Sequence, residues 1–304
     1  MSKEFVKQHI VPVSYLDRFA DPDRMIGTRL IEKDNKVKLF KTPTKDVGYI
    51  KNFYDVTDKN DPKYWEHYLA DQIDTLYGRE LGNIISRVTL SCNEKIVLGE
   101  YEKNTLSKLI VAQMMRIPDS VEYIKTLYKR VIPEIKAEAI RALPKVIRDK
   151  YEKKIANWDW TDQWKKEQFF NHTFNPENFE RYCKVLHNRL WIIYVNDVRH
   201  SVPFVTGDNP VLIEGIGKTE TGLFNNGLIA STTCIFFPVT PSIAIANYSK
   251  QGFFSPVADD MDGKKIIIGE NDIPFILDRN MKIIAQSYKH SFISQPFYDE
   301  LIRQ

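Results

Sequence analysis

The sequence predicts an α+β fold in which a helical middle packs on a mainly antiparallel sheet drawn from the C-terminal third and the early strands. Two observations carry most of that expectation. Between Trp65 and Asn188 apolar residues recur at helical spacing, whereas from Leu190 onward they fall into short β-branched or aromatic runs divided by turn residues. A third is the alternation of residues 29–56, which reads as a small sheet of its own. With 304 residues, 43% hydrophobic and 12% aromatic, the chain has ample material for a core. It shows no repeat, low-complexity tract or clear linker, so one domain over 1–304 is expected, with 154–162 the best place for a subdomain boundary.

Taken in order, residues 7–19 (KQHIVPVSYLDRF) place Val11, Val13, Tyr15, Leu16 and Phe19 around Pro12, which suits the start of a short helix. The run RLIEKDNKVKLFKT reads as two strands across an Asp34-Asn35 turn, followed by an extended piece ending at Asn52-Phe53-Tyr54. After a turn cluster from Asp58 to Pro62, the residues Trp65, Leu69, Ile73, Leu76, Leu81, Ile84, Ile85 and Val88 predict one helix. Leu106 to Ile117 (LSKLIVAQMMRI) is apolar nearly all round and predicts a buried helix, capped by Asn104 and stopped by Pro118. Pro133 and Pro144 should break 119–156 into shorter helices, and Asn175-Pro176-Glu177 starts another before FERYCKVL. Strands are expected over 190–195, 203–206, 211–214, 234–238, 243–247, 265–268 and 281–285. Residues 228–233 extend the strand at Cys234, and 295–303 form a closing helix.

Several polar residues sit oddly in this pattern. Gln113 and Arg116 stand three apart on one face of the buried helix, and a buried guanidinium needs carboxylates or a bound anion. The plainer role for Arg116, at a helix C-terminus, is to answer the dipole and reach water. Asp74 follows Ile73 beside the apolar stripe of its helix and is a candidate partner. His9 precedes the first short helix; it is an ordinary cap by default, but its pKa suits proton transfer or metal ligation. Asp208 lies in Thr206-Gly207-Asp208-Asn209-Pro210 between two strand-like runs. That is tight-turn chemistry, yet an acid at the end of a core strand is rigid enough to be aimed at a site.

Charge and cysteine usage bound the function classes. A net charge of +3 is too mild to argue for nucleic acid alone. From Tyr123 to Lys154, however, ten Lys and Arg face four acids, a local +6 that forms either a solvated helical face or a phosphate-facing patch. Cys92, Cys183 and Cys234 are widely spaced, which supports neither a disulfide framework nor a zinc knuckle. The N-terminal residues lack an apolar signal core and no run approaches the roughly 18–20 apolar residues of a membrane span, so a cytoplasmic protein without a membrane partner is expected. Gly215-Ile216-Gly217-Lys218-Thr219 ends like a phosphate loop, but Leu212 stands where that loop needs glycine. Arg181 and His187 have the spacing of HEPN ribonucleases, but six helical positions turn about 600° and leave them on different faces.

The motif residues resemble a large, mainly bacterial family known only as a domain of unknown function. Its pattern, H-x-x-P-x-x-Y-L-x-x-F, then Phe-Tyr, Q-x-x-R-x-P, S/T-x-D-N-P and an FPL-x-P-like strand, is matched here over about residues 7–290. The matches are His9, Pro12, Tyr15, Leu16 and Phe19; Phe53 and Tyr54; Gln113, Arg116 and Pro118; Thr206, Asp208, Asn209 and Pro210; and Phe237, Pro238, Val239 and Pro241. Gly207 stands where serine is common, Val239 for leucine and Asp74 for an expected glutamate. The resemblance names no activity, but its polar signature implies that His9, Gln113, Arg116 and Asp208 share one site.

The first functional expectation is a hydrolase acting on phosphodiesters, a nuclease in a bacterial conflict or defence setting. His9 would be general base or metal ligand, Asp74 and Asp208 ligands of a divalent metal or proton acceptors, Arg116 the clamp on phosphate charge and Gln113 the orienter. Nucleic acid would bind through 123–154. The alternative is a non-enzymatic ligand- or protein-binding module in which the same residues form a buried polar network.

Overall fold

Early strands, a long helical middle and a strand-rich C-terminal third follow one another along the chain. The computed structural model describes residues 7–32, 36–57, 61–91, 98–158, 160–216 and 227–294. The expected Asp34-Asn35 turn, Asp58, Cys92, Gly217-Lys218-Thr219 and the closing helix over 295–303 lie outside the described residues. The early elements are β1 (Lys7–His9), α1 (Val13–Leu16), β2 (Met25–Ile31), β3 (Val37–Pro43) and β4 (Tyr49–Lys51). The middle holds α2 (Tyr64–Leu69), α3 (Thr75–Gly78), α4 (Glu80–Leu90), α5 (Glu100–Met115), α6 (Pro118–Ala142), α7 (Lys145–Ala156), α8 (Asp162–Thr173) and α9 (Pro176–His187). There follow β5 (Leu190–Asn196), β6 (Thr206–Gly207), β7 (Leu212–Gly215), β8 (Thr233–Thr240), β9 (Ile243–Tyr248), α10 (Ala258–Met261), β10 (Lys264–Ile268), α11 (Ile273–Gln286) and β11 (His290–Ile293).

The fold is α+β, with about 52% helix and 21% strand. A five-stranded sheet runs β10-β5-β9-β8-β7, antiparallel except for the parallel β10–β5 pair. A four-stranded antiparallel sheet, β3-β2-β11-β6, joins the early strands to the C-terminal third, and β1 pairs with β4 as a separate ribbon. Strand periodicity divides the five-stranded sheet between two cores. Trp191, Ile193, Ile235, Phe237, Ile243 and Ile245 face the helical middle, while Leu190, Ile192, Phe236, Ala244 and Ala246 face a second cluster with Ile276 and Ile283 of α11. A sheet covered on both faces explains why these strands read as unbroken apolar runs. Helix α5 is buried from Thr105 through Met115 apart from Lys108, as its all-round apolarity predicts.

Several details differ from the sequence reading, among them the strand expected over 203–206, which shrinks to β6. The run 281–285 is not a strand but the end of α11, which has Pro274 in its first turn and buries Ile276, Asn280 and Ile283 at i, i+4 and i+7. Residues 228–232 precede β8 without joining it. Pro133 sits inside a continuous α6: it is solvent-exposed, so water can satisfy the carbonyl it leaves free, whereas Pro144 does separate α6 from α7. Helix α5 begins at Glu100, not after Asn104, with Glu100 and Glu102 in its first turn where the helix dipole favours acids. No helix among the described residues is long and apolar enough to cross a membrane.

Candidate functional site

Arg116 ends α5 and is 1% exposed, yet each of its nitrogens has an acceptor. Nε donates to the Tyr54 hydroxyl at 3.0 Å, Nη1 to Asp74 Oδ1 at 2.5 Å, and Nη2 to the His9 carbonyl at 2.6 Å and Asp74 Oδ2 at 3.4 Å. One turn earlier, Gln113 Nε2 donates to the Ile10 carbonyl at 2.9 Å. The i, i+3 spacing therefore has a mechanical meaning: two side chains on one helix face hold two successive carbonyls where the chain leaves β1. Asp74 reaches Arg116 because the expected helix from Trp65 to Val88 is interrupted by a π turn over Ala70–Asp74, which shifts the phase of the helix after α2. Burial pulls the Arg116 pKa down, but the Asp74 carboxylate and Tyr54 outweigh it and the net shift is upward. Burial pushes the Tyr54 hydroxyl up to about 12, so it stays neutral; it accepts from Arg116 and donates to the His9 carbonyl at 3.2 Å.

The remaining motifs close on one another in the same way. The Tyr15 hydroxyl meets Thr206 Oγ1 at 2.7 Å and donates to the Pro238 carbonyl at 2.6 Å, and its ring stacks on Phe237 at 5.3 Å. One residue thus ties the N-terminal motif to both C-terminal ones. Asp208 is 2% exposed, and its carboxylate accepts the backbone N–H groups of Tyr288, Lys289 and His290 at 2.6, 2.8 and 2.8 Å. Asn209 Nδ2 donates to the Gln286 carbonyl at 3.3 Å, so the turn motif secures the chain between α11 and β11. Gly207 departs from the serine of the family pattern for a steric reason. A Cβ there would collide with the Ser287 hydroxyl, which is held on the Ile283 carbonyl, and would stand 3.1 Å from the His290 carbonyl.

No sequence motif marks Gln8 or Glu167, and both are hubs. Gln8 is fully buried; its Oε1 accepts Tyr54 N–H at 2.6 Å, and its Nε2 donates to Asp55 at 2.6 Å and Glu66 at 2.9 Å. Glu167 Oε1 accepts from Thr57 N–H, Thr57 Oγ1 and Gln163 Nε2 at 2.5, 2.8 and 2.8 Å. Strand alternation was the available signal: if His9 faces partly outward, Gln8 must face in.

His9 enters the network by its carbonyl, and its imidazole does something else. The ring lies edge-on to Tyr49 at 5.9 Å, and its Nε2 is buried and has no hydrogen-bond partner among the described residues, as is the case for Gln113 Oε1. Desolvation by burial lowers the His9 pKa, and the Arg116 charge lowers it further against an opposing contribution from the Lys45 backbone. A lowered folded-state pKa means that the unfolded chain binds the proton more readily. The stabilising contribution is therefore complete above the ordinary value of 6.5 and is lost as pH falls below it. Urea melts from pH 7.5 to pH 5 should show stability falling toward acid, and His9→Gln should remove part of that slope; an unchanged slope would mean that His9 protonates freely in the fold.

Gln113 and Arg116 thus meet at the His9–Ile10 backbone, while Asp208 is held in another contact set. The two regions approach across a cleft of about 160 Å³, with Ile10 and Tyr49 on one side and Asp208, Lys289 and His290 on the other. Among the described residues no three His, Cys, Asp or Glu side chains are grouped to hold a metal ion, His9, Asp74 and Asp208 included. The physical reason is prior commitment, since the Asp74 oxygens face Arg116 and those of Asp208 face three N–H groups. A second buried arginine, Arg189, donates to Asn247 Oδ1 at 2.7 Å and to the carbonyls of Leu228 and Thr233, and burial lowers its pKa to about 10.

Fold and site together define an α+β protein whose distant segments are tied by buried side-chain-to-backbone bonds. The chain belongs to the family described as protein of unknown function (DUF4238), whose model matches residues 7–293. No curated protein and no solved structure matches it.

Proposed function

We propose that the chain is a cytoplasmic, non-enzymatic binding module in which the motif residues fix the fold and the basic α6–α7 hairpin grips nucleic acid. The observation that carries this reading is the hairpin itself. No residue of α7 is fully buried and only Ser120 and Val121 of α6 are, so the +6 segment from Tyr123 to Lys154 presents its charge to solvent. Tyr151 lies within it, with Lys150 and Lys154 about its ring at 5.5 and 5.8 Å, a mixture of cation and aromatic surface suited to phosphates and bases. The saturation of Arg116 and Asp208 favours a fixed network over a reacting site.

Affinity for single-stranded RNA or DNA should fall steeply with salt, each neutralised phosphate contributing a log-log slope of about −0.7. Changing Lys145, Lys150 and Lys153 together to Gln should flatten that slope by about 2. Arg148 is left in place because it donates to the carbonyls of Arg141 and Leu143 and holds the hairpin turn. A wild-type protein that binds neither nucleic acid at about 50 mM salt would sink the reading.

A second reading, the phosphodiester hydrolase or nuclease of a defence system, is favoured by the buried His9 Nε2, which has no partner among the described residues and belongs to an imidazole whose pKa burial lowers. Cleavage by the wild type that His9→Ala abolishes, with binding retained, would support it over the first.

A further inference from the structure

One cavity is lined by none of the residues that match the family pattern. It measures about 460 Å³ and sits beside the C-terminal end of α5, between α6, α8, α9 and the residues leading into β8. Met115, Phe169, Val185 and Leu228 give it apolar walls, and His172 and Tyr182 stand as polar groups among them. The size falls within the roughly 300–1,000 Å³ typical of small-molecule sites, as does the ratio of many apolar walls to few polar groups. Water is poorly served there, since a bound water needs two to four polar partners.

The polar edge has a defined sense. Asn178 Nδ2 donates to the His172 carbonyl at 2.9 Å, which fixes the amide orientation, and the same nitrogen lies 3.3 Å from His172 Nδ1. An amide nitrogen only donates, so Nδ1 accepts and the ring proton is on Nε2. The histidine therefore offers a donor, and the Tyr182 hydroxyl can offer a second. Ile124 of α6 closes another side, and the helix that carries it begins the basic hairpin, whose field favours an anion.

We propose that this cavity binds a small amphipathic carboxylate of the medium-chain fatty acid type, its chain among Met115, Phe169, Val185 and Leu228 and its carboxylate on His172 Nε2–H and the Tyr182 hydroxyl. The site is independent of the nucleic-acid reading. Isothermal titration with decanoate, kept below its micellar range, and with decanol tests it. Wild type should bind decanoate with a Kd of roughly 10–100 μM, as expected for so small a ligand. Val185→Trp, which fills the cavity from a half-exposed position, should weaken both ligands at least about tenfold. His172→Leu should weaken decanoate about tenfold, the usual effect of losing a charge-assisted bond, and leave decanol unchanged. Thermal melts establish that each variant is folded, and Ile124→Trp replaces Val185→Trp if that one is not. No binding of decanoate to wild type at about 1 mM, or equal binding by the folded cavity-filling variant, would overturn the proposal. Equal weakening of decanoate and decanol by His172→Leu would overturn the carboxylate's placement.

Discussion

Arg116→Ala is expected to lower the unfolding free energy by about 3–5 kcal/mol, the range for removing one partner of a buried pair. The substitution removes one donor from the His9 carbonyl, the Tyr54 hydroxyl and Asp74 at once. Asp74 keeps 25% of its side chain exposed and can rehydrate, and the Tyr54 hydroxyl still donates to the His9 carbonyl, so the loss should fall toward the lower end of that range. Arg116→Lys should recover little, because one ammonium cannot span three acceptors that a planar guanidinium reaches together. Urea melts followed by circular dichroism measure the loss. A double-mutant cycle with Asp74→Asn should be strongly non-additive, since each change removes the same ion pair. A Arg116→Ala melt within about 0.5 kcal/mol of wild type would show that the guanidinium is not what holds α5 to β1.

The burial of α5 was legible because a helix apolar on all sides has nowhere to go but inside, and Arg116 within it had to find partners. Its spacing from Gln113 was legible too. Which acceptors they reach was not, because two of the four acceptor groups they bond are main-chain carbonyls, and every residue in a sequence has one. The pairing of Tyr15 with Thr206 and Pro238 spans about two hundred positions and depends on how β6 and β8 meet, which no local pattern records. Residues 281–285 resemble a strand for a local reason: Met-Lys-Ile-Ile-Ala is short and β-branched in part, and only its continuity with IPFILDRN reveals a helix of 14 residues. The π turn that delivers Asp74 was invisible for the opposite reason, since the apolar spacing on either side of it reads as one smooth helix.

Asp208→Ala is the other substitution with a large expected effect, and it separates an anchoring acid from one poised for chemistry. The carboxylate is the acceptor for three consecutive N–H groups at the entry to β11. Bonds to a charged acceptor are worth about 1.5–3 kcal/mol each but share one group, so a total of about 3 kcal/mol is expected rather than the sum. Asp208→Asn should lose less, because its amide oxygen still accepts while its NH₂ opposes a donor that the second carboxylate oxygen had satisfied. The loss should also be local before it is global. β11 lies between β2 and β6, so once its first residues lose their acceptor the pairing of Phe292 with Thr28 and Thr206 is weakened from one end. Hydrogen exchange should then report faster amides at 288–292 with little change in α5, whereas Arg116→Ala should loosen α5 and β1. Retention of wild-type protection at 288–290 in Asp208→Ala would remove the anchoring role, and would return Asp208, with His290 Nδ1 only 3.5 Å from its Oδ2 across the wall of the cleft, to the list of groups available for a reaction.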